Sequence, residues 1–263
     1  MFNLVTRTWN PVTGCVHNCI YCWARRLAIT RLCKLFPEYY DPEFKPRLIE
    51  KKLRERFRPG ELVFITDMGD LFCSEVPDEW ILKVLEVARG NERTLFLLLT
   101  KNPGRFIQLL EKYGVEIYSR NMILGVTVES DYDTYYIRMK VSRAEPPYSR
   151  LETFLNFIKK YSNEINDFIP TCWISIEPVI KFRSWKRLAR QILRFIPYVD
   201  KVIVYVGYDN YGLLKKHEIE EPTLEEVQEL INYLKDSPGI EVYTKTLRKA
   251  WNEDLIDRSI RRI

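Results

Sequence analysis

The stretch TGCVHNCIYCWA, residues 13–24, places Cys15, Cys19 and Cys22 within eight residues, although the whole chain of 263 residues has only six cysteines. The spacing Cys-x3-Cys-x2-Cys is too tight for a disulfide framework, and three cysteines cannot all form pairs with one another. A structural zinc site needs four ligands; His17 lies inside the loop, but no second ligand pair follows downstream. Three thiolates can instead hold a four-iron cluster and leave one iron open to a substrate or cofactor. The loop therefore predicts a metal centre near the start of the chain.

The composition is typical of a soluble globular protein. Apolar residues make up 46% of the chain and charged residues 29%. No apolar run approaches the roughly 20 residues that span a bilayer, and the first residues lack the pattern of a signal peptide. Because cytoplasmic thiols stay reduced, clustered cysteines there bind metal more often than they form disulfides. We expect a cytoplasmic protein that makes no membrane contact.

The formal charge of +5 is distributed unevenly along the chain. Residues 23–58 contain eleven Lys and Arg against five Asp and Glu, and residues 181–194 contain six basic residues and no acidic one. Such basic density suits a polyanionic partner, so residues 25–58 and 183–194 are candidates for binding tRNA or DNA. Solvated helix faces give the same pattern, and the sequence leaves both interpretations open.

Short apolar runs alternate with amphipathic stretches over the whole chain. The runs predict strands buried on both faces: 61–66, 94–100, 122–128, 172–178, 201–207 and 240–245, with 6–14 as a first strand. The amphipathic stretches predict helices with recognisable caps: 77–90, 102–114, 184–196 and 223–239. This alternation of strands and helices predicts an α/β fold with a parallel sheet, either doubly wound or a barrel.

No linker, low-complexity tract or repeat divides the chain, so we expect one domain over residues 1–263. A helical extension is expected at about 245–263. The stretch 132–150 has no clear period, and irregular segments of that length in compact domains are commonly functional loops or lids.

The segment CVHNCIYC, residues 15–22, resembles the signature of the radical S-adenosylmethionine (SAM) superfamily. The blocks TWNPVTGC, ITDMGDLF, LLLTKNPGRF, LGVTVES and ISIEPVI resemble a subgroup found near phage and mobile elements, with a looser similarity to spore photoproduct lyase. The resemblance implies a partial (β/α)6 TIM-like barrel, with a seventh strand at 240–245 and the cluster loop at 14–24. It also implies a [4Fe–4S] cluster on Cys15, Cys19 and Cys22. SAM would then be cleaved reductively to a 5′-deoxyadenosyl radical that abstracts hydrogen, with electrons from an external donor.

Polar residues gather at the carboxyl ends of the expected strands, where barrel enzymes carry their chemistry. The ammonium of SAM requires acceptors, its carboxylate a cation, and its ribose further acceptors. The resemblance places DMGD, residues 67–70, at the motif that binds the amino group, with Asp67 and Asp70 as its carboxylates. The predicted SAM contacts are Asp67, Met68, Gly69 and Asp70 for the amino group, Lys101 for the carboxylate, Thr127 and Glu129 for the ribose, and Glu177 for ribose or substrate.

Cys73 and three tyrosines also fall near this edge of the sheet. A thiol donates hydrogen atoms readily, and the similarity to spore photoproduct lyase makes Cys73 a candidate for quenching a product radical; the alternative is a small buried side chain. Tyr205, Tyr208 and Tyr211 can stack a base or relay a radical, but in a chain with sixteen tyrosines we expect core or rim packing.

Two other classes of function remain as alternatives. A non-catalytic iron–sulfur protein, acting as an electron carrier or sensor, would need a fourth ligand and would not bind SAM. A zinc-stabilised nucleic-acid-binding module would be colourless and would hold one zinc per chain.

Overall fold

One open parallel sheet organises the chain in the computed structural model, which describes residues 2, 4–165, 169–209 and 211–244. The strands are β1 (Arg7–Trp9), β2 (Val12–Thr13), β3 (Arg47–Leu48), β4 (Leu62–Ile65), β5 (Leu95–Thr100), β6 (Met122–Thr127), β7 (Cys172–Ile176), β8 (Val202–Val206) and β9 (Ile240–Thr244). Seven of them pair in the order β1-β4-β5-β6-β7-β8-β9, with every neighbouring pair parallel. β2 and β3 form a separate antiparallel pair. Within the described residues β1 and β9 are unpaired edges.

The sheet curls around the side chain of Phe2. The Phe2 ring lies 5.4 Å from Phe64 in β4 and 4.6 Å from Tyr205 in β8, measured between ring centroids. In a flat sheet, strands four positions apart would be separated by about 19 Å. One ring can reach both only because the sheet curves back on itself, so the predicted partial α/β barrel is confirmed.

Helices cover the outer face of the sheet and form the main hydrophobic core with it. The α-helices are α1 (Trp23–Leu27), α2 (Cys33–Leu35), α3 (Asp78–Arg89), α4 (Gly104–Tyr113), α5 (Asp133–Arg138), α6 (Pro147–Ile165), α7 (Trp185–Leu193), α8 (Leu213–Lys216) and α9 (Leu224–Lys235). A π-helical turn, Ala28–Leu32, joins α1 to α2, and 3-10 turns lie at Glu50–Arg54, Val115–Ile117 and Ile196–Tyr198. In the part of the chain that the structure describes, no helix is long and apolar enough to cross a membrane.

The strands and helices expected from the sequence are present, including β9 as the seventh strand of the sheet. The capping box of α9 is also present: the Thr223 hydroxyl accepts from the Glu226 amide and the Glu226 carboxylate accepts from the Thr223 amide. The expectation of an irregular segment at 132–150 is wrong, because it contains α5 and the start of α6. The Asp133 carboxylate accepts hydrogen bonds from the amides of Tyr148 and Ser149, at 2.8 and 3.0 Å, and so caps α6. The expected extension at 245–263 lies outside the described residues.

Candidate functional site

A cavity opens at the carboxyl edge of the sheet. Its walls combine the cysteine loop with residues that directly follow the strands. Strand-end residues in the lining are Asp67, Gly69, Asp70, Thr100, Lys101, Thr127, Ser175, Glu177 and Tyr208. Parallel strands bring these residues together because all their carboxyl ends meet at one edge.

Cys15, Cys19 and Cys22 all line this cavity, so the structure brings together the three thiols that the sequence predicted as ligands. Backbone amides point at two of the sulfurs: the His17 amide donates to Cys15 Sγ at 3.4 Å, and the Arg25 amide to Cys22 Sγ at 3.3 Å. Cys19 Sγ lies 3.1 Å from the Ser142 hydroxyl. N–H groups directed at sulfur stabilise a thiolate, so the loop suits ligands that bind in the thiolate form.

Without a bound metal, two of the three thiols hold their protons tightly. Burial is the main reason that the pKa of Cys22 rises to about 11, with the charge of Cys19 adding to it. The pKa of Cys15 is raised through a hydrogen bond with Cys73, by burial and by the charge of Asp70. A metal must therefore displace protons as it binds. Among the described residues no three His, Cys, Asp or Glu side chains are grouped closely enough for one metal ion, whereas a cluster distributes its thiolates over separate iron atoms.

The segment 67–70 is locked against the cysteine loop. Gly14 and Gly69 form a β-bridge, and the Gly14 amide donates to the Met68 carbonyl at 2.9 Å. The contact is so close that a Cβ on Gly69 would lie 2.5 Å from the Gly14 carbonyl oxygen. Gly69 is therefore required for packing, whatever else it binds. Met68 is buried against Phe44 and does not face the cavity.

Asp70 anchors the surroundings of the loop. Its carboxylate accepts hydrogen bonds from the Phe72 amide (3.0 Å), the Lys101 amide (2.9 Å) and the Thr100 hydroxyl (2.8 Å), and its Oδ2 lies 2.9 Å from His17 Nε2. Burial alone would raise the pKa of Asp70, but the hydrogen bond and charge of His17, with the other donors, hold it below its usual value. The protein already uses this carboxylate fully, which makes it a positioning residue.

Asp67 is the carboxylate of this segment that remains available to a ligand. It lines the cavity, and its Oδ1 accepts one side-chain hydrogen bond, from Asn10 Nδ2 at 2.7 Å. Burial raises its pKa, although the hydrogen bond from Asn10 lowers it in part. An ammonium group in the cavity would stabilise the charged carboxylate.

Lys101, Glu129 and Arg150 form a buried ion-pair network beneath the cavity. Lys101 Nζ donates to Glu129 Oε1 at 2.6 Å, and Arg150 Nη1 donates to Oε2 at 2.9 Å. Tyr21 also donates to the Glu129 carboxylate. Burial alone would raise the pKa of Glu129, but the charges of Arg150 and Lys101 lower it from 4.5 to about 2. Two cations on one carboxylate leave a net positive charge, and Lys101 brings it to the cavity wall.

The remaining predicted residues occupy distinct environments. Thr127 lines the cavity, and its carbonyl accepts from the Arg150 guanidinium. Glu177 also lines it, in space that Gly207 provides, since a Cβ there would lie 3.1 Å from the Glu177 side chain. Cys73 is fully buried in the core behind Cys15 and is not part of the lining. Glu129 is likewise fully buried and holds Lys101, and its predicted ribose contact stays a prediction.

Arg150 and His17 are the main residues whose roles at the site the sequence reasoning missed. Arg150 lay in the stretch expected to be irregular, yet it occupies an apolar face of α6 with Leu151, Phe154 and Ile158. An arginine at helical spacing among apolar residues is the signal that identifies a buried ion pair, because such a charge needs a partner. His17 was weighed only as a metal ligand.

The fold is that of the spore photoproduct lyase structures. A cysteine-to-serine variant of spore photoproduct lyase matches with a TM-score of 0.57 and 13% identity, over 90% of this chain and 76% of that one. A further variant with bound AdoMet and dinucleoside spore photoproduct matches with a TM-score of 0.56 and 13% identity, over the same shares of the two chains. These matches confirm, at the level of the fold, the similarity to spore photoproduct lyase that the sequence indicated.

The chain belongs to the family described as DUF5131, a family of proteins of unknown function, whose profile matches residues 2–169. That segment includes the cysteine loop and the strand ends through β6. A search of curated proteins found no matching sequence.

Proposed function

We propose that the chain is a radical SAM enzyme whose Cys15, Cys19 and Cys22 hold a [4Fe–4S] cluster. The observation that carries the proposal is the convergence of these three thiols on a cavity that also exposes Lys101 and Asp67. When bound, the cluster and SAM would supply a 5′-deoxyadenosyl radical for hydrogen abstraction, and an external donor would provide the electron. The AdoMet held by a spore photoproduct lyase variant of the same fold supports the cofactor.

Residues of opposite charge are assigned to the two charged groups of SAM. Lys101, held by Glu129 at 2.6 Å, is the cation for the SAM carboxylate. Asp67 is the acceptor for the ammonium group, and Glu177 with Thr127 is available for ribose or substrate hydroxyls. Asp70 and Gly69 keep the cysteine loop and the Lys101 backbone in place. Cys73 as a hydrogen-atom donor stays a prediction, and it requires a movement that exposes the buried thiol.

Lys101→Met tests this assignment. Methionine keeps the length of the side chain but removes the charge, so we expect the affinity for SAM to fall about 10–100-fold, the value of a hydrogen bond to a charged group. Equilibrium binding of SAM to the reconstituted, unreduced protein measures the loss without turnover. Lys112→Met, at an exposed lysine paired with Asp78 outside the cavity, is the matched control.

An unchanged SAM affinity in Lys101→Met, with normal thermal unfolding, would remove Lys101 from the site. Failure of the wild-type protein to bind SAM at all would contradict the proposed function itself.

A further inference from the structure

Two aromatic side chains face each other at the rim of the cavity. Trp23 and Tyr211 both line it, and their rings are nearly parallel, with 6.4 Å between centroids and 23° between planes. This separation is at the wide end of direct ring contact. Tyr211 is 59% exposed, unlike Tyr205 and Tyr208, which are buried as expected.

Each ring is positioned by an element of the site. Trp23 begins α1 directly after Cys22, whose sulfur caps that helix by accepting from the Arg25 amide. Asp209 is buried and accepts from the amides of Tyr211 (2.9 Å) and Leu214 (2.7 Å), which fixes the turn that carries Tyr211 into α8. The backbone that carries each ring is therefore fixed before any ligand arrives, which lowers the entropy cost of ordering the pair on binding.

Exposed cations follow each of the two aromatic residues along the chain. The turn and helix after Trp23 carry Arg26, Arg31 and Lys34, and α8 after Tyr211 carries Lys215 and Lys216. All five side chains are exposed, and none forms an ion pair with the described part of the chain. Exposed cations without a carboxylate partner favour a polyanionic ligand.

The second basic segment, 183–194, differs in this respect. Arg187 lies 3.7 Å from the Asp131 carboxylate and stacks on Tyr148, and Arg194 donates to Glu152 at 2.6 Å. Two of its arginines therefore serve the protein itself. Arg183, Lys186 and Arg190 are the exposed cations of that segment without an ion pair among the described residues, and they do not line the cavity.

We propose that Trp23 and Tyr211 stack on an unpaired base of a single-stranded nucleic acid, while the cations beside them bind the flanking phosphates. Aromatic platforms inside a basic surface are how proteins bind single strands without sequence preference. A base held at this rim faces the cavity, so the inference deepens and rests on the proposed function by naming a nucleic acid as the substrate class. An aromatic side chain of a peptide could also stack, but it would leave the five cations unmatched.

Binding of fluorescent single-stranded DNA and RNA oligonucleotides to the full, reconstituted chain tests the proposal. We expect Trp23→Ala and Tyr211→Ala each to weaken binding about 5–100-fold, and Trp23→Phe to keep most of the affinity. Arg31→Gln should lower the slope of log affinity against log salt by about 0.7. Tyr233→Ala (its ring is 42% exposed on α9) and Arg190→Gln on α7 are the matched controls and should change neither quantity.

Two results would overturn the inference. One is oligonucleotide binding that is absent, or unchanged in both alanine variants. The other is a Trp23→Ala protein that loses SAM affinity and keeps oligonucleotide affinity, which would assign the pair to the adenine of SAM. Because SAM binding is measured separately, a protein that binds SAM but no oligonucleotide contradicts this inference alone. A protein that binds neither contradicts both.

Discussion

Replacing Arg150 with methionine is expected to lower the free energy of unfolding by about 3–5 kcal/mol. The guanidinium is fully buried and donates to Glu129 at 2.9 Å and to the Glu145 carbonyl at 2.6 Å. Methionine fills similar space but leaves the buried Glu129 carboxylate with only Lys101 as a cationic partner. An under-compensated charge in the interior is costly because water cannot solvate it. Urea unfolding of the apo-protein measures the change.

The matched control is Arg194→Gln, because Arg194 also forms an arginine–glutamate pair but does so at the surface. Exposed pairs contribute about 0–1 kcal/mol, so this variant should stay close to the wild type. Equal losses in the two variants would show that the buried network contributes no more than a surface pair.

The same network makes the free energy of unfolding depend on pH in the acidic range. Because the folded pKa of Glu129 is about 2, below its ordinary 4.5, its contribution is present above about pH 4.5 and is lost as the pH falls towards 2. The loss amounts to roughly 3 kcal/mol over that interval. Glu129→Gln cannot be protonated there, so its unfolding free energy should fall less steeply than that of the wild type between pH 4.5 and 2. Parallel pH profiles would contradict the account of the network.

Alanine replacement of Cys15, Cys19 or Cys22 is the second change with a large expected effect. Each variant should lose the iron–sulfur cluster, because a cluster held by three thiolates has no protein ligand to substitute for one of them. Anaerobic reconstitution, followed by iron and sulfide determination and visible absorbance, measures cluster content.

Cys33→Ala is the matched control, since Cys33 is half-buried on α2 and its thiol donates to the Ile29 carbonyl rather than facing the cavity. It should retain a full cluster. A Cys15→Ala protein that keeps its cluster would point to Cys73, which lies within hydrogen-bond reach of Cys15, as an alternative ligand. That result would contradict the assignment of three specific ligands.

The fold was largely predictable because strands and helices here carry strong local signals. β7 and β8 are buried at every position and appear in sequence as unbroken apolar runs, and Thr223 with Glu226 marks the start of α9. Within the stretch 132–150, α5 was missed because it has only six residues and depends on tertiary contacts. A helix that short has little stability alone, so its sequence shows no clear period.

Most of the side chains that line the cavity could be predicted from the sequence, but the hydrogen bonds and ion pairs between them could not. Sequence reasoning placed Lys101 and Glu129 at neighbouring strand ends and gave each a different part of SAM, whereas the structure joins them at 2.6 Å. The bonds of the Asp70 carboxylate with His17 and Thr100 were likewise not foreseen from the sequence. Which polar side chains satisfy each other depends on distances across the barrel, and spacing along the chain does not encode those.

The most direct test of the central claim is formation of 5′-deoxyadenosine from SAM by the reduced, reconstituted protein. With dithionite as electron donor, we predict that the wild type and Cys33→Ala release 5′-deoxyadenosine and that Cys19→Ala does not. Where turnover is slow without substrate, SAM should still change the electron paramagnetic resonance spectrum of the reduced cluster. Two results would contradict the assignment of this chain as a radical SAM enzyme. One is a reconstituted wild-type protein that holds no cluster. The other is a cluster whose spectrum SAM does not change and that does not cleave SAM.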